Sequence, residues 1–142
     1  MPNDPSDNHA GDAADARVFE VRTSAMPDSV PTLRTIAADL AMRQDFDLDA
    51  VEDVRMAVDE ACNLLVPAAS DGWLNCAFTA SAGSLAVRVS VLSDGPGLVR
   101  DDALGWQLLT ALATTVRRSV TPTDQGYVSQ VDLVRESETT GR

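Results

Sequence analysis

Two carboxylates and an amide stand close together in the chain, at Asp59, Glu60 and Asn63. Residues three and four apart on an α-helix lie one above the other, so a helical segment would bring these side chains to neighbouring positions. A carboxylate beside an amide suits a general base next to a metal-coordinating group, which is what phosphate chemistry with a divalent ion requires. An acidic flank facing solvent explains the same residues, and the spacing by itself favours that second interpretation.

Apolar periodicity predicts the helix that must position these side chains. Residues of one buried helix face recur at three- and four-residue steps, at Val51, Val54, Val58, Ala61 or Cys62, and Leu65. Asp47 or Asp49 is suited to cap the start of this helix, and Pro67 marks its end. The pattern therefore indicates an amphipathic helix with one buried side and one acidic side.

Composition limits the kinds of partner. The chain has 142 residues, 44% of them hydrophobic, which predicts one domain over 17–135 between a disordered acidic leader (1–16) and a polar tail (136–142). Acidic residues outnumber basic ones 22 to 11, every basic residue is Arg, and the formal net charge is -11. This balance disfavours direct nucleic-acid binding and favours a basic protein partner.

Several classes of site and location are disfavoured. No apolar run approaches the roughly 18 residues that cross a bilayer, and the N-terminus is polar and acidic, so we predict a cytoplasmic protein without membrane contact. Cys62 and Cys76 are interpreted as small buried hydrophobes rather than a disulfide or a metal site. The only histidine, His9, lies in the leader, which excludes a Ser-His-Asp triad.

The order of predicted elements gives the fold class. In chain order they are a strand over 18–23, a helix over 30–43, the acidic helix over 49–65, a hairpin of strands over 73–79 and 85–92, a helix over 103–116, a short strand over 118–121 and a strand over 127–134. Helices in such an order must pack together on one face of the sheet. The prediction is an α+β two-layer sandwich, with three helices on one face of a mainly antiparallel sheet of four to five strands.

Three segments in this order carry a resemblance to a known family. They are Ala-Val-Asp-Glu-Ala at 57–61, Ser-Asp-Gly-Pro-Gly at 93–97 and Leu-Gly-Trp-Gln-Leu-Leu-Thr-Ala-Leu-Ala at 104–113. Over about residues 18–134 the chain resembles the GHKL (Bergerat-fold) ATPases, and among them the small anti-sigma-factor serine kinases of stress-response and sporulation switches. Such proteins bind a sigma factor, keep it from RNA polymerase, and phosphorylate an anti-anti-sigma antagonist on serine.

The resemblance implies roles for residues on the acidic helix. It makes Glu60 the general base for phosphoryl transfer and expects a magnesium-binding Asn four residues later, where this chain has Leu64. Asn63 is one step earlier, about 100° around the helix, and is the remaining candidate for a metal ligand.

The two glycine-containing segments also depart from the family pattern. The adenine-binding Asp of the family corresponds to Ser93, which is followed by Asp94, Gly95 and Gly97. Asp94 could substitute for the missing carboxylate if the loop shifts, whereas a tight turn ending a strand explains the same residues without a ligand. Only Gly105 remains of two phosphate-binding glycines, and the link over 98–104 is too short for a nucleotide-covering lid.

These departures predict a domain that kept its partner surface while nucleotide binding weakened. Arg34 matches an arginine that contacts both sigma factor and antagonist in similar proteins, although an ordinary exposed helix arginine is the plain alternative. The predicted function is sequestration of an RNA polymerase sigma factor, with release by a competing STAS-type anti-anti-sigma protein and with weak or no use of ATP and Mg²⁺. The alternatives are an active serine kinase of that antagonist and an acidic non-catalytic adaptor; a homodimer through the sheet is also expected.

Overall fold

The computed structural model describes residues 16–96 and 104–137. Five strands form one antiparallel sheet in the spatial order β1-β2-β3-β5-β4. The elements are β1 (Arg17–Ser24), α1 (Val30–Arg43), α2 (Leu48–Leu65), β2 (Trp73–Ser81), β3 (Ser84–Ser93), α3 (Leu104–Leu112), β4 (Thr115–Thr123) and β5 (Gly126–Glu136). The predicted α+β sandwich is confirmed, with the three described helices packed on a five-stranded antiparallel sheet.

The core lies between the sheet and the helices, because the strands alternate buried and less buried residues. In β2 the buried positions are Leu74, Cys76, Phe78 and Ala80, and β3 continues the pattern from Leu85 to Val91. Helix α2, the predicted acidic helix, contributes Val54, Val58, Ala61 and Leu65 to the helical side of the core, and each of them is at most 1% exposed. The opposite face of the sheet carries Val18 and Trp73, which are 60% and 40% exposed.

The acidic helix begins as its sequence predicts. Asp47 is the N-cap residue, and its side chain accepts a hydrogen bond of 2.8 Å from the backbone N–H of Ala50. Pro67 lies in a short 3-10 turn that directly follows the helix. The side chains of Asp59 and Glu60 are therefore presented by a helix that is anchored at its start and buried along one side.

The third helix is shorter than the predicted span of 103–116. It ends at Leu112, and Val116 belongs to β4, where it pairs with Leu133. The β-branched residues Thr114, Thr115 and Val116 favour extended backbone, and the Thr114 N–H donates to the Val134 carbonyl at 2.7 Å. Helical periodicity through Val116 was misleading because strand alternation places the same residue on the core side.

Arg135 ties three elements together at the end of α3. Its Nη1 donates to Asp53 Oδ2 on α2 at 2.7 Å and to the Leu112 carbonyl at 3.0 Å, and its side chain is only 14% exposed. A guanidinium at the C-terminal end of a helix also meets the negative end of the helix dipole. The contact fixes where α3 ends relative to α2 and β5.

Both cysteines are buried and free, as predicted. Burial raises the pKa of the Cys62 thiol to about 12, with the nearby Asp59 carboxylate adding to the effect. Burial also raises the pKa of the Cys76 thiol, and Cys62 adds to that shift. Both groups are therefore neutral thiols around neutral pH and behave as core residues.

None of the helices among the described residues is long and apolar enough to cross a membrane.

Replacing Arg135 with Met tests how strongly α3 is held. The variant leaves the Asp53 carboxylate and the Leu112 carbonyl without this donor, so we expect the free energy of unfolding to fall by about 1–3 kcal/mol. Urea denaturation measures this change. Arg55→Met is the matched control, because Arg55 forms only a more exposed ion pair with Glu52 and its loss is expected to cost less than about 0.5 kcal/mol. Equal losses in the two variants would contradict the anchoring role of Arg135.

Candidate functional site

Glu60 and Gly105 come together where α3 crosses α2. A Cβ added to Gly105 would collide with Glu60 Oε2 and would lie 3.1 Å from Leu64 Cδ2. Glycine at this position therefore lets the first described turn of α3 approach the carboxylate and the leucine of α2 without a side chain between them. Glu60 is partly buried as a result.

Leu64 occupies the position at which the resemblance expects a magnesium-binding amide. It is partly buried and packs against the core, and it is the second α2 side chain beside Gly105. Asn63, the substitute candidate, is exposed on α2. The structure thus places Asn63 on a different side of the helix from the stripe that contains Glu60 and Leu64.

Ser93 is 1% exposed and its hydroxyl faces groups of the protein itself. Its Oγ lies 2.9 Å from Ser129 Oγ, 3.1 Å from the Gly95 carbonyl and 3.3 Å from the Tyr127 carbonyl. One hydroxyl has one proton to donate, so these neighbours already engage that proton. Ser93 therefore joins the end of β3 to β5.

The β4–β5 turn packs closely against the backbone of Ser93. Gly126 has φ +136, and a Cβ there would lie 2.8 Å from the Ser93 carbonyl oxygen. Only glycine adopts this conformation readily, and only glycine fits so close to the backbone of β3. Asp94 and Gly95 follow on the surface side, Asp94 exposed and Gly95 partly so, whereas the candidate Gly97 and the link after it lie outside the described residues.

Arg34 has a partner within the chain. Its Nη1 donates to Asp59 Oδ1 at 2.8 Å, and the two side chains are 33% and 34% exposed. The ion pair joins α1 to α2 one residue before Glu60. The guanidinium is accessible at the surface and held in a fixed direction by Asp59.

Four of the sequence-predicted residues thus form two separate pairs. Glu60 meets Gly105 between α2 and α3, and Ser93 meets Gly95 at the end of β3. The sequence did not reveal Asp59 as the partner of Arg34, or Ser129 as the partner of Ser93. Both pairings join residues that are distant in the chain. The sequence shows only that each of these polar residues stands at a position expected to face the core or a neighbouring helix.

A double-mutant cycle tests the steric role of Gly105. Alanine is the better helix former by about 1 kcal/mol, so Gly105→Ala should be stabilising where nothing obstructs the new methyl group. In the wild type the new methyl group meets both Glu60 and Leu64, whereas in a Glu60→Ala background only the 3.1 Å approach to Leu64 Cδ2 remains. We therefore expect Gly105→Ala to be less favourable in the wild type than in the Glu60→Ala background, with a coupling energy of about 1 kcal/mol or more by urea denaturation. The control pair is Gly105→Ala with Asn63→Ala. Those effects should add, and a coupling as large as that with Glu60 would contradict the contact.

Comparison with known proteins places this arrangement in a family. Residues 23–127 match the histidine kinase-like ATPase domain. The chain is also 32% identical over 102 residues to the anti-sigma-F factor RsbW of Mycobacterium tuberculosis, in strain CDC 1551 / Oshkosh and in strain H37Rv. The match covers 71% of this chain and 61% of the relative, so the chain spans about three fifths of the length of these curated proteins. The family match takes in α1, α2, the β2–β3 hairpin, α3 and β4, and the chain belongs to the histidine kinase-like ATPase domain family.

Proposed function

We propose that the protein is an anti-sigma factor that sequesters an RNA polymerase sigma factor and releases it when a STAS-type anti-anti-sigma protein competes. The observation that carries this proposal is the similarity to the anti-sigma-F factor RsbW across 102 residues. Competition needs only that the two partners use overlapping surfaces, so that binding of one excludes the other. No step of this mechanism consumes ATP.

The fit of the site to a magnesium nucleotide supports weak or no ATP use. The Ser93 hydroxyl is 1% exposed and engaged with Ser129 and two backbone carbonyls, so it is not presented as an acceptor to the amino group of an adenine ring. A leucine stands at the position of the expected magnesium-binding amide, and the Glu60 carboxylate lies against Gly105. These residues do not supply the contacts that Mg-ATP needs, and we assign no chemical step to it.

The Arg34–Asp59 pair supports a partner surface on α1. A partly exposed arginine is a common centre of protein interfaces, because its planar group donates several hydrogen bonds in a fixed geometry. Asp59 accepts only part of this capacity, through a single 2.8 Å contact with Nη1. A partner carboxylate can share the guanidinium with Asp59 or replace it.

The open face of the sheet supports a homodimer. Val18 and Trp73 are exposed there, and the Arg22 guanidinium lies 4.3 Å from the centre of the Trp73 ring. A depression of about 460 Å³ is lined on this face by Glu20, Arg22, Asn75, Arg88 and Ser90, among others. Apolar and charged groups in one open surface are typical of the interfaces of symmetric dimers.

One observation favours the serine kinase as a second candidate. Glu60 lies beside the first described turn of α3, and the resemblance assigns nucleotide phosphates to this turn. In that case Glu60 would act as the base for a serine hydroxyl of the antagonist. Calorimetry and phosphate transfer separate the two candidates.

We expect Mg-ATP to bind with a dissociation constant in the millimolar range or weaker, since the adenine and magnesium contacts are missing. Isothermal titration calorimetry of the wild-type protein measures this affinity, and radiolabelled ATP with a STAS-type antagonist measures phosphate transfer. Glu60→Gln serves as the control and should leave sigma-factor binding unchanged. Micromolar ATP affinity together with transfer that Glu60→Gln abolishes would establish the kinase instead.

Arg34→Ala should weaken the complex with the sigma factor by about tenfold or more, the usual effect of truncating a central interface arginine. Surface plasmon resonance with purified sigma factors measures the change. Arg43→Ala is the matched control, because Arg43 lies on the same helix and forms a comparable 2.9 Å pair with Asp39. Asp59→Asn should weaken binding less than Arg34→Ala does, because it keeps the guanidinium for the partner and removes only the charge that orients it. If the wild-type protein binds no sigma factor, the acidic adaptor is the better assignment.

A further inference from the structure

Helix α3 exposes an apolar flank although its other side is buried. Leu104 is 72% exposed and Leu108 40% exposed, and Ala111 is exposed as well, so apolar residues follow one line at steps of four and three. On α2, Met56 is 52% exposed. Single exposed apolar residues are ordinary, but a row of them on one helix, with a further one on the neighbouring helix, indicates a contact surface.

Two contacts fix how α2 and α3 lie against each other. Gly105 touches Glu60 and Leu64, and Arg135 binds both Asp53 and the Leu112 carbonyl. Helices α2 and α3 therefore run antiparallel to each other, with the start of α3 near the end of α2. Midway between these two contacts, Leu108 comes level with Met56, since both helices rise by the same amount per residue.

The exposed residues of the two helices lie on the same side of their contact. On α2 the sheet-facing residues Val54 and Val58 are buried, and Met56 lies on the opposite side of the helix. On α3, Trp106 packs against the core, and Leu104 and Leu108 occupy the flank away from it. We name the resulting surface the α2–α3 groove and define it by Met56, Leu104, Leu108 and Ala111.

The rim of the α2–α3 groove is acidic. Helix α2 contains five acidic residues, Asp49, Glu52, Asp53, Asp59 and Glu60. Arg55, Arg135 and Arg34 form ion pairs with Glu52, Asp53 and Asp59 respectively, so the excess of negative charge on this helix comes from Asp49 and Glu60. The whole chain has a formal charge of -11, so no distant excess of basic residues offsets this rim. A ligand with positive charges beside an apolar face complements both properties, and the field of the protein would speed its association.

We propose that the α2–α3 groove docks a basic amphipathic helix of another protein. The apolar face of that helix packs on Met56, Leu104 and Leu108, and its Lys or Arg side chains reach the carboxylates of α2. The groove and its charge select this occupant over an acidic helix or a second copy of this acidic chain. The inference goes beyond the proposed function, because it requires neither a sigma factor nor a nucleotide and lies on a different helix pair from Arg34.

The test uses protein labelled with ¹³C at the methionine methyl groups. The chain has four methionines. The probe is a synthetic amphipathic peptide of Lys and Leu, about 18 residues or five helical turns long. On titration we expect the Met56 methyl signal to shift saturably, while the signals of Met26 and Met42, which are 52% and 58% exposed elsewhere, stay in place.

Substitutions show whether the groove itself binds the peptide. Leu108→Ser and Leu104→Ser should each weaken peptide binding by about tenfold, a usual loss for a central apolar contact. Leu48→Ser is the matched control, because Leu48 is 75% exposed at the start of α2 and should leave the affinity unchanged. Circular dichroism confirms that each variant is folded.

Four results would overturn the proposal. They are equal shifts of Met42 and Met56, unchanged affinity after Leu108→Ser, equally tight binding of a Glu/Leu peptide of the same pattern, and a Met56 shift that follows protein concentration without peptide. The last result would identify a second copy as the occupant. A saturable shift confined to Met56 that the Glu/Leu peptide does not produce and Leu108→Ser weakens supports it.

Discussion

The close approach of α3 to α2 is the constraint on which the helical layer depends. Gly105 allows the contact at one end, because any side chain there would meet the Glu60 carboxylate, and Arg135 secures the other end through Asp53 and the Leu112 carbonyl. A short helix gains little stability from its own hydrogen bonds, so packing and end contacts determine its position. The placement of Glu60, Leu64 and the exposed flank of α3 all follow from these two contacts.

Helix α2 contacts a different neighbour on each of its buried or partly buried sides. Val54 and Val58 face the sheet, Asp59 binds Arg34 of α1, Glu60 meets α3, and Met56 faces outward. An 18-residue helix in the middle of a layer can do this because successive residues turn by about 100°. The Arg34 surface and the Glu60 contact are therefore held by adjacent residues of one helix.

The sequence predicted most of the fold because its elements have strong periodic patterns. The acidic helix and the β2–β3 hairpin were located to within a few residues, since burial of one side leaves a regular apolar repeat. The predicted end of α3 was wrong, because Val116 fits both a helical and a strand pattern. The long-range hydrogen bond from Thr114 to Val134 favours the strand. The pairings of Arg34 with Asp59 and of Ser93 with Ser129 join residues far apart in the chain, and local patterns contain no information about them.

The enclosure of Ser93 limits which side chains position 93 accepts. A carboxylate at this position would lie among the Tyr127 and Gly95 carbonyl oxygens, with Ser129 as the one hydroxyl donor that Ser93 now meets, and the approach of Gly126 leaves the backbone little room to retreat. Burying a charge among acceptors is costly unless new donors arrive with it. Serine and aspartate at position 93 are therefore not interchangeable by a single substitution: we expect this fold to accept Ser93→Asp only together with changes on β5 or its turn that bring donors to the new carboxylate.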